Sequence, residues 1–357
     1  MQLTIAVGER NERIVANLLF LSAADFQHVR ASHMISLTHT DPSCTKYQII
    51  GCAGQGGSAQ VYKAYVSCNP DDVVALKIQK PAFPWEFYMY RQLDQRISDK
   101  ERSSFGLAIF ILTDAKNSFA VIGKSMEEVL CIYYTIEMLY MLETLLGVGI
   151  VRGDFKPDNL LIRYARHVFI ALVSINIILR LHTGMTLQQM DFLIEVVPGM
   201  IRLKVFMTNM GIILQGLCLV DWGRGIDMHL FPDNMEFKGD CRTSGFRCAE
   251  MQENRPWTFQ VDTYGLCVVV HLMLHNSYME IEKKLSPEGG YIYQPKYWNA
   301  ELWRNLFTKR LNSGPRANDK KLLQDLRESF QDYMSSDPLL IKKLSGLLVK
   351  QRATLGA

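Results

Sequence analysis

The hydrophobic positions change their period along the chain. In the stretch after Thr45 they fall in short blocks, Tyr47–Ile50, Gln60–Val66 and Val73–Gln79. Blocks of this length, rich in Val, Ile and Tyr, predict strands. A Gly-rich turn separates the first two, and Asn69-Pro70-Asp71 predicts a turn between the last two. Trp85–Ile97 reads as a short helix, with Pro84 suited to its first position. Leu107–Thr113 and Ser118–Gly123 read as a hairpin. Val129, Ile132, Tyr133, Ile136, Leu139 and Tyr140 recur at helical spacing, so Met126–Leu146 predicts a helix. Helical periods dominate from Pro256 onward, with loops near Ser286–Gly290 and Ser313–Asn318. Residues 1–46 show no clear period, although Ile14–Phe20 reads as a short helix. Strands first and helices second predict an α+β protein, a β-rich lobe followed by an α-rich lobe. No internal repeat is evident.

Composition narrows the class. The 357 residues suffice for one two-lobed domain with a large core, or for two ordinary domains. Hydrophobic residues at 48% and charged residues at 21% are globular values. A net charge of +3 is too small to argue for nucleic acid or an anionic membrane. The eight cysteines are scattered without a C-x-x-C pair, so neither a zinc site nor a disulfide framework is indicated. A reducing compartment, nucleus or cytoplasm, fits that usage. The first ten residues lack the basic and apolar regions of a secretory signal. The apolar run Phe169–Leu181 is shorter than the roughly 20 residues a membrane span needs, and Glu195, Arg202 and Lys204 interrupt the stretch beyond it. Neither a membrane nor direct nucleic-acid binding is expected.

Four constellations carry chemistry, and their order along the chain matters more than any one of them. Gly54-Gln55-Gly56-Gly57-Ser58-Ala59-Gln60-Val61 is a G-x-G-x-x-A-x-V loop, in which glycines let backbone N–H groups approach phosphate oxygens. It runs into a strand, unlike a dinucleotide-binding loop, and lacks the G-K-[ST] ending of a P-loop. Val74-Ala75-Leu76-Lys77 follows on the next strand, where a lysine can touch α- and β-phosphates and pair with a helix carboxylate; Glu86 is the candidate partner. Asp154, Lys156 and Asn159 form D-x-K-x-x-N: an acid to take a substrate hydroxyl proton, a cation for the moving phosphoryl group and an amide for a magnesium ion. Val220-Asp221-Trp222-Gly223 supplies D-x-G, with Asp221 as the second magnesium ligand. Gly54, Gly56, Gly57, Ala59, Val61, Ala75 and Lys77 are thus the candidate ATP-binding residues, Asn159 and Asp221 the candidate Mg²⁺ ligands, and Asp154, Lys156, Lys77 and Glu86 the candidate catalytic set.

These residues, in this order, resemble the protein kinases. Thr243-Ser244-Gly245-Phe246-Arg247-Cys248-Ala249-Glu250 resembles the end of their activation segment, and Asp262 the buried helix aspartate that supports the catalytic loop. The resemblance implies that Thr243 braces Asp154 and Lys156 and marks a Ser/Thr-directed enzyme. Lys77-Ile78-Gln79-Lys80-Pro81-Ala82-Phe83-Pro84-Trp85-Glu86-Phe87-Tyr88, Gly153–Asn159, Gly225–Pro232 and Thr243–Phe246 together resemble the Bub-type mitotic-checkpoint kinases more narrowly, over roughly 47–162 and 216–350. That family implies a two-lobed kinase domain over 47–350, its N-lobe about 47–123 and its C-lobe about 124–350, after an N-terminal extension of 1–46. It also implies protein substrates with a histone tail among them, kinetochore and checkpoint proteins as partners, and residence in the nucleus at kinetochores.

The chain departs from the pattern in several places. The family's N-terminal helical-repeat region, which docks kinetochore partners, has no counterpart in these residues, which puts recruitment by that route in question. Arg152 stands where the catalytic loop normally has His, and a long cation there is expected to disturb the loop. Gly153 replaces the arginine that binds an activation-loop phosphate; the family also has Gly there, so dependence on such a phosphate is not expected. Only Lys124-Ser125 separates the last N-lobe strand from the predicted helix, too little for a hinge that bonds adenine, unless Lys124–Val129 unwinds. Asn159 and Asp221 are 221 − 159 = 62 positions apart, several times the usual spacing. The excess, an apolar insert at about 163–215, reads as a partner-docking patch, a membrane-surface element, or foreign sequence from misjoined coding segments. The short hinge and the insert together make a catalytically impaired, kinase-shaped interaction module the alternative to an active enzyme. Expressed protein with the insert should aggregate more than protein lacking Arg163–Gln215; equal solubility in a sedimentation assay would count against the foreign-sequence reading.

Overall fold

The computed structural model describes residues 3–9, 12–18, 34–36, 46–55, 59–79, 84–106, 126–164, 215–240, 243, 245–279, 282–283, 291–292, 299–312 and 319–356, with the backbone alone over stretches that include 71–79. The chain divides into two units, one comprising Met1–Gln95 and Gly106–Lys116, the other Arg96–Phe105 and Asn117–Ala357.

The first unit opens with β1 (Leu3–Glu9) and β2 (Glu12–Leu18), an antiparallel hairpin paired from Leu3↔Leu18 to Glu9↔Glu12. The helix expected at Ile14–Phe20 is therefore a strand over Ile14–Leu18, and 19–20 lie outside the described residues. A seven-residue helix is marginal on its own, β-branched Ile14 and Val15 favour extended backbone, and the hairpin gives β2 partners along its length. Next come β3 (Met34–Ser36), β4 (Lys46–Gln55), β5 (Ala59–Val66) and β6 (Asn69–Gln79), in one antiparallel sheet of order β3-β4-β5-β6. The turn between β5 and β6 is Ser67-Cys68, not Asn69-Pro70-Asp71. Both turn residues have positive φ, 50° and 62°, and Val66 pairs with Asn69. Such a primed two-residue turn matches the twist of the strands it joins. Pro70 then falls in the register shift between the Val66↔Asn69 and Tyr65↔Val73 pairs, where its missing N–H costs no ladder bond to β5. Helix α1 (Pro84–Arg96) agrees with expectation within a residue at either end.

The second unit is built around α2 (Glu128–Gly147). The spacing of its apolar residues suggests one stripe, yet fifteen of its residues are buried and only Glu128, Tyr140, Glu143, Leu146 and Gly147 fall outside that set. A helix apolar on all sides belongs inside a core. It is long and apolar enough to cross a membrane by composition, but 83% of that window is buried within the protein. Two short strand pairs adjoin it. β7 (Ile150–Val151) pairs with β10 (Ile226–Asp227), and β8 (Leu160–Tyr164) pairs with β9 (Gln215–Leu219). Against α2 pack α3 (Gln260–His275), α5 (Asp319–Ser336) and α6 (Pro338–Gly356), while α4 (Ala300–Leu311) packs against α3 and α5. Strand pair β11 (Glu282–Lys283) and β12 (Tyr291–Ile292) lies between α3 and α4 in sequence.

Polar ties fix the packing of this unit. Glu128 Oε1 accepts from the Asn299 N–H at 2.8 Å and from Trp303 Nε1 at 2.9 Å. Arg327 Nε lies 2.8 Å from Glu143 Oε2 and its guanidinium covers the Tyr140 ring. Burial and nearby carboxylates push the Tyr140 hydroxyl up to about 12. Arg96 grips the buried Asp227 with two bonds of 2.7 and 2.8 Å, a bidentate pair at the end of β10.

The expected hairpin over 107–123, the loops near 286–290 and 313–318, and the run Phe169–Leu181 lie outside the described residues. The insert leaves the ladder at its base intact. Arg163 pairs with Gly216 and Tyr164 with Gln215, so these residues belong to strands, and 215 − 164 − 1 = 50 residues leave and return at one point. Closing a loop of that length instead of one of a few residues costs only about 2 kcal/mol, which the ladder and the buried Leu160, Ile162, Leu217 and Leu219 offset.

Gly265 makes a test of the packing. An added Cβ would lie 2.5 Å from the Phe155 carbonyl oxygen and 3.0 Å from its Cβ. Helix propensity favours Gly265→Ala by about 1 kcal/mol, but the contact with Phe155 opposes it. The substitution should lower stability by about 1–3 kcal/mol net, read as a fall in the urea midpoint; a rise would refute this packing.

Candidate active site

The second unit gathers the catalytic-loop residues tightly. The loop between β7 and β8 carries Asp154, Lys156 and Asn159, ending in a single 3₁₀ turn, Pro157–Asn159. Lys156 Nζ lies 3.0 Å from Asp154 Oδ2. Asn159 Nδ2 donates to the Asp154 carbonyl at 2.8 Å and reaches Asp154 Oδ2 at 3.3 Å. The Thr243 hydroxyl donates to Asp154 Oδ1 at 3.0 Å and accepts from Arg224 Nη1 at 3.2 Å. Asp154 is buried to 6% exposure while Lys156 remains partly open. A buried carboxylate is tolerable only with partners of this kind.

The D-x-G residue stands directly after β9. The Val220 N–H donates to the Asn159 carbonyl at 2.9 Å, which brings the start of the Asp221 turn beside the catalytic loop. Asp221 has φ 65° and ψ 75°, a left-handed conformation that an ordinary side chain avoids. Strain of this kind is kept where surrounding structure enforces it, often at functional sites.

The loop itself hangs on Asp262, in the first turn of α3. Its Oδ2 accepts from the Arg152 N–H at 2.6 Å and its Oδ1 from the Gly153 N–H at 2.8 Å. Burial pushes the Asp262 carboxyl up to about 6; the two backbone bonds and the Arg152 charge oppose that rise and Asp154 adds to it. Arg152 does not disturb the loop. It is fully buried, its Nη2 donates to the Val220 carbonyl at 2.9 Å, and its guanidinium lies 5.5 Å from the centre of the Trp222 ring. Gly153 has φ +72°, and a Cβ there would sit 2.6 Å from the Arg224 carbonyl oxygen. An arginine at this position, such as a phosphate-binding loop would need, has no room.

The predicted nucleotide residues lie in the first unit. Gly54 pairs with Val61 and Val61 with Lys77, so the three share a row across β4, β5 and β6, while Ala75 pairs with Lys63 and Ala59 with Gln79. Gly56 and Gly57 and the Lys77 side chain lie outside the described residues. Glu86 is buried in the first turn of α1, where the helix N-terminus favours a carboxylate. At the other end of the expected hinge, α2 starts at Glu128, two residues later than the periodicity indicates, and the Met126 N–H donates to the Met273 carbonyl at 2.7 Å.

The donor chemistry suits a hard divalent cation. Asn159 Nδ2 is committed to Asp154, so its amide oxygen is the atom it could offer a cation, and the Asp221 carboxylate is the other candidate. Magnesium takes few protein ligands of this type and completes its shell with phosphate and water oxygens. Among the described residues no group of three or more His, Cys, Asp or Glu side chains converges on a metal position. Sequence reasoning missed three elements of the neighbourhood: the Arg96–Asp227 pair, the Arg224–Thr243 bond and the use of Arg152. Asp227 stands within the Gly225–Pro232 pattern without a role there, and nothing local marks Arg96 or Arg224 as more than surface cations.

The strand-first unit, the helical unit and the D-x-K-x-x-N and D-x-G pair define a two-lobed protein kinase domain. A solved structure described as the BubR1 kinase domain resembles the chain with a TM-score of 0.63 and 25% identity, covering 90% of each. No family model matches the sequence. Over most of its length the chain is similar to proteins named BUB1 mitotic checkpoint serine/threonine kinases. It is 54% identical over 334 residues to the Arabidopsis thaliana protein of that name, covering 87% of this chain and 58% of the relative. It is 29% identical to the mouse protein, with 79% of this chain and 25% of the relative covered, and 29% identical to the Saccharomyces cerevisiae protein, with 76% and 26% covered. The chain therefore spans between a quarter and three-fifths of the length of these relatives.

Asp262 makes stability depend on pH in a specific way. Its folded value of about 6 lies above its ordinary 3.8. The folded state therefore holds the proton more tightly, and this group's contribution to stability is full below about pH 4 and lost as pH rises through about 6. The shift corresponds to about 3 kcal/mol. Comparing the wild type with Asp262→Asn by urea unfolding from pH 4 to 7, the wild type should lose ground relative to the variant as pH rises. Parallel curves would refute the assignment.

Proposed function

We propose that the chain is an ATP-dependent serine/threonine protein kinase domain that transfers the γ-phosphate to protein hydroxyls, acting in the mitotic checkpoint at kinetochores in the nucleus. The observation that carries this reading is the Asp154–Lys156–Asn159–Thr243 cluster, whose contacts are those that phosphoryl transfer requires. Asp154 accepts and aligns the acceptor hydroxyl, with one carboxylate oxygen held by the Thr243 hydroxyl and the other beside Lys156. Lys156 and Lys77 offset charge on the phosphates, and Glu86 orients Lys77. Asn159 and Asp221 would hold Mg²⁺, which would supply positive charge to offset that of the phosphates. The glycine loop with Val61 and Ala75 covers the nucleotide. Catalysis on this reading is positioning plus charge stabilisation. Protein substrates, a histone tail among them, and checkpoint proteins as partners are consistent with the relatives' names as mitotic and spindle assembly checkpoint kinases.

A second reading, a catalytically impaired module, draws on one observation. The Met126 N–H is committed to Met273, so it is not available to adenine. Losing one to three hinge bonds at about 0.5–1.5 kcal/mol each weakens nucleotide binding by about twofold to a thousandfold. The two readings separate in a single assay of Mg-ATP binding and histone phosphorylation. The first expects saturable Mg-ATP binding, and phosphorylation that Asp154→Asn lowers by about a hundredfold or more. Absence of Mg-ATP binding would overturn it, and equal phosphorylation by both proteins would show that the activity comes from a contaminant.

A further inference from the structure

Arg152 ties the D-x-K-x-x-N loop to the strand end that leads into D-x-G. Its backbone N–H is held by Asp262, and its side chain crosses to the strand end that precedes Asp221. The acceptor there is the Val220 carbonyl, which belongs to the same peptide plane as the Asp221 N–H. The Val220 N–H is bound in turn by the Asn159 carbonyl. Both peptide planes flanking Val220 are thus fixed, and Asp221 departs from the second of them into its left-handed conformation at φ 65°. The guanidinium also lies over Trp222, which is fully buried and in ring contact with Phe105 at 6.1 Å. A cation over an indole face away from water is held firmly. A shorter or apolar side chain at this position would leave the Val220 carbonyl without this donor.

We propose that Arg152 is a positioning residue for Asp221: by holding the Val220–Asp221 peptide plane, with Trp222 as its platform, it sets the direction in which the Asp221 carboxylate is offered to a divalent cation. Arg152 itself touches neither the cation nor the nucleotide. The inference rests on the reading of Asp221 as a magnesium ligand, so its test includes a readout that needs no ligand. Packing alone would make Arg152 interchangeable with an apolar residue of similar length, since buried cations are often replaceable in that way without loss of stability.

The full chain is compared with Arg152→Met, Arg152→Lys and Trp222→Phe. The first readout is amide hydrogen exchange in 216–227 against α2 as internal reference. The second is the Mg²⁺ concentration at half-maximal binding of a fluorescent ATP analogue. In Arg152→Met, exchange in 220–225 should rise about tenfold or more with α2 unchanged, and the Mg²⁺ midpoint should rise about tenfold to a hundredfold. Arg152→Lys should recover part of both changes. Trp222→Phe, which keeps the Val220 bond and loses only the better platform, should shift both by about threefold. Uniform faster exchange throughout the second unit, or no change in 220–225, would overturn the proposal. So would an unmoved Mg²⁺ midpoint in variants whose wild type binds Mg-ATP. If Arg152→Met does not fold, the other two variants decide by the same criteria. If the wild type binds no Mg-ATP, the functional reading falls while the exchange data still decide whether Arg152 holds the turn.

Discussion

One buried carboxylate orders the candidate active site of this protein. Asp262 accepts the N–H groups of two successive loop residues, Arg152 and Gly153, in surroundings that exclude water. A loop at a protein surface ordinarily leaves its amides to solvent. Here they are spent on a helix side chain, so the loop position follows the position of α3. From that anchor the chain has few choices. Asp154 follows one residue later, Asn159 turns back to bond its carbonyl, and Val220 joins Asn159 through the backbone. Desolvation makes the arrangement costly, since burial raises Asp262 toward neutrality. The two charge-assisted bonds and the Arg152 charge are what offset that cost.

Close approach of backbones completes the site. Gly265 lets α3 touch Phe155, and Gly153 lets the loop meet the Arg224 carbonyl at distances that a Cβ would violate. The loop has no room for an arginine to receive an activation-segment phosphate. Thr243 is instead held directly, by Asp154 on one side and Arg224 on the other.

Much of this is legible in the sequence because it is local. The strands around Val61 and Lys77 follow from β-branched blocks and glycine, and the D-x-K-x-x-N spacing alone puts Asp154, Lys156 and Asn159 within reach of one another. Less local features are harder to read. The β2 strand reads wrongly as a helix because seven residues carry both periods, and pairing with β1 decides between them. The Asn-Pro-Asp signal misplaces a turn that register assigns to Ser67-Cys68. Arg152 misleads for a different reason. A long cation beside a catalytic aspartate looks disruptive until the Val220 carbonyl and the Trp222 ring are brought to it from about 70 positions away in sequence. The insert looks disruptive on similar grounds, yet β8 and β9 close beneath it, because loop-closure cost grows only slowly with length.

The candidate active-site loop hangs on the Asp262 anchor, and the amide protons of Arg152 and Gly153 report it directly. Their NMR chemical shifts should titrate together, with one midpoint near 6, the value to which burial lifts the Asp262 carboxyl. Amides that do not respond to pH, or that respond separately, would mean that the loop does not hang on this carboxylate.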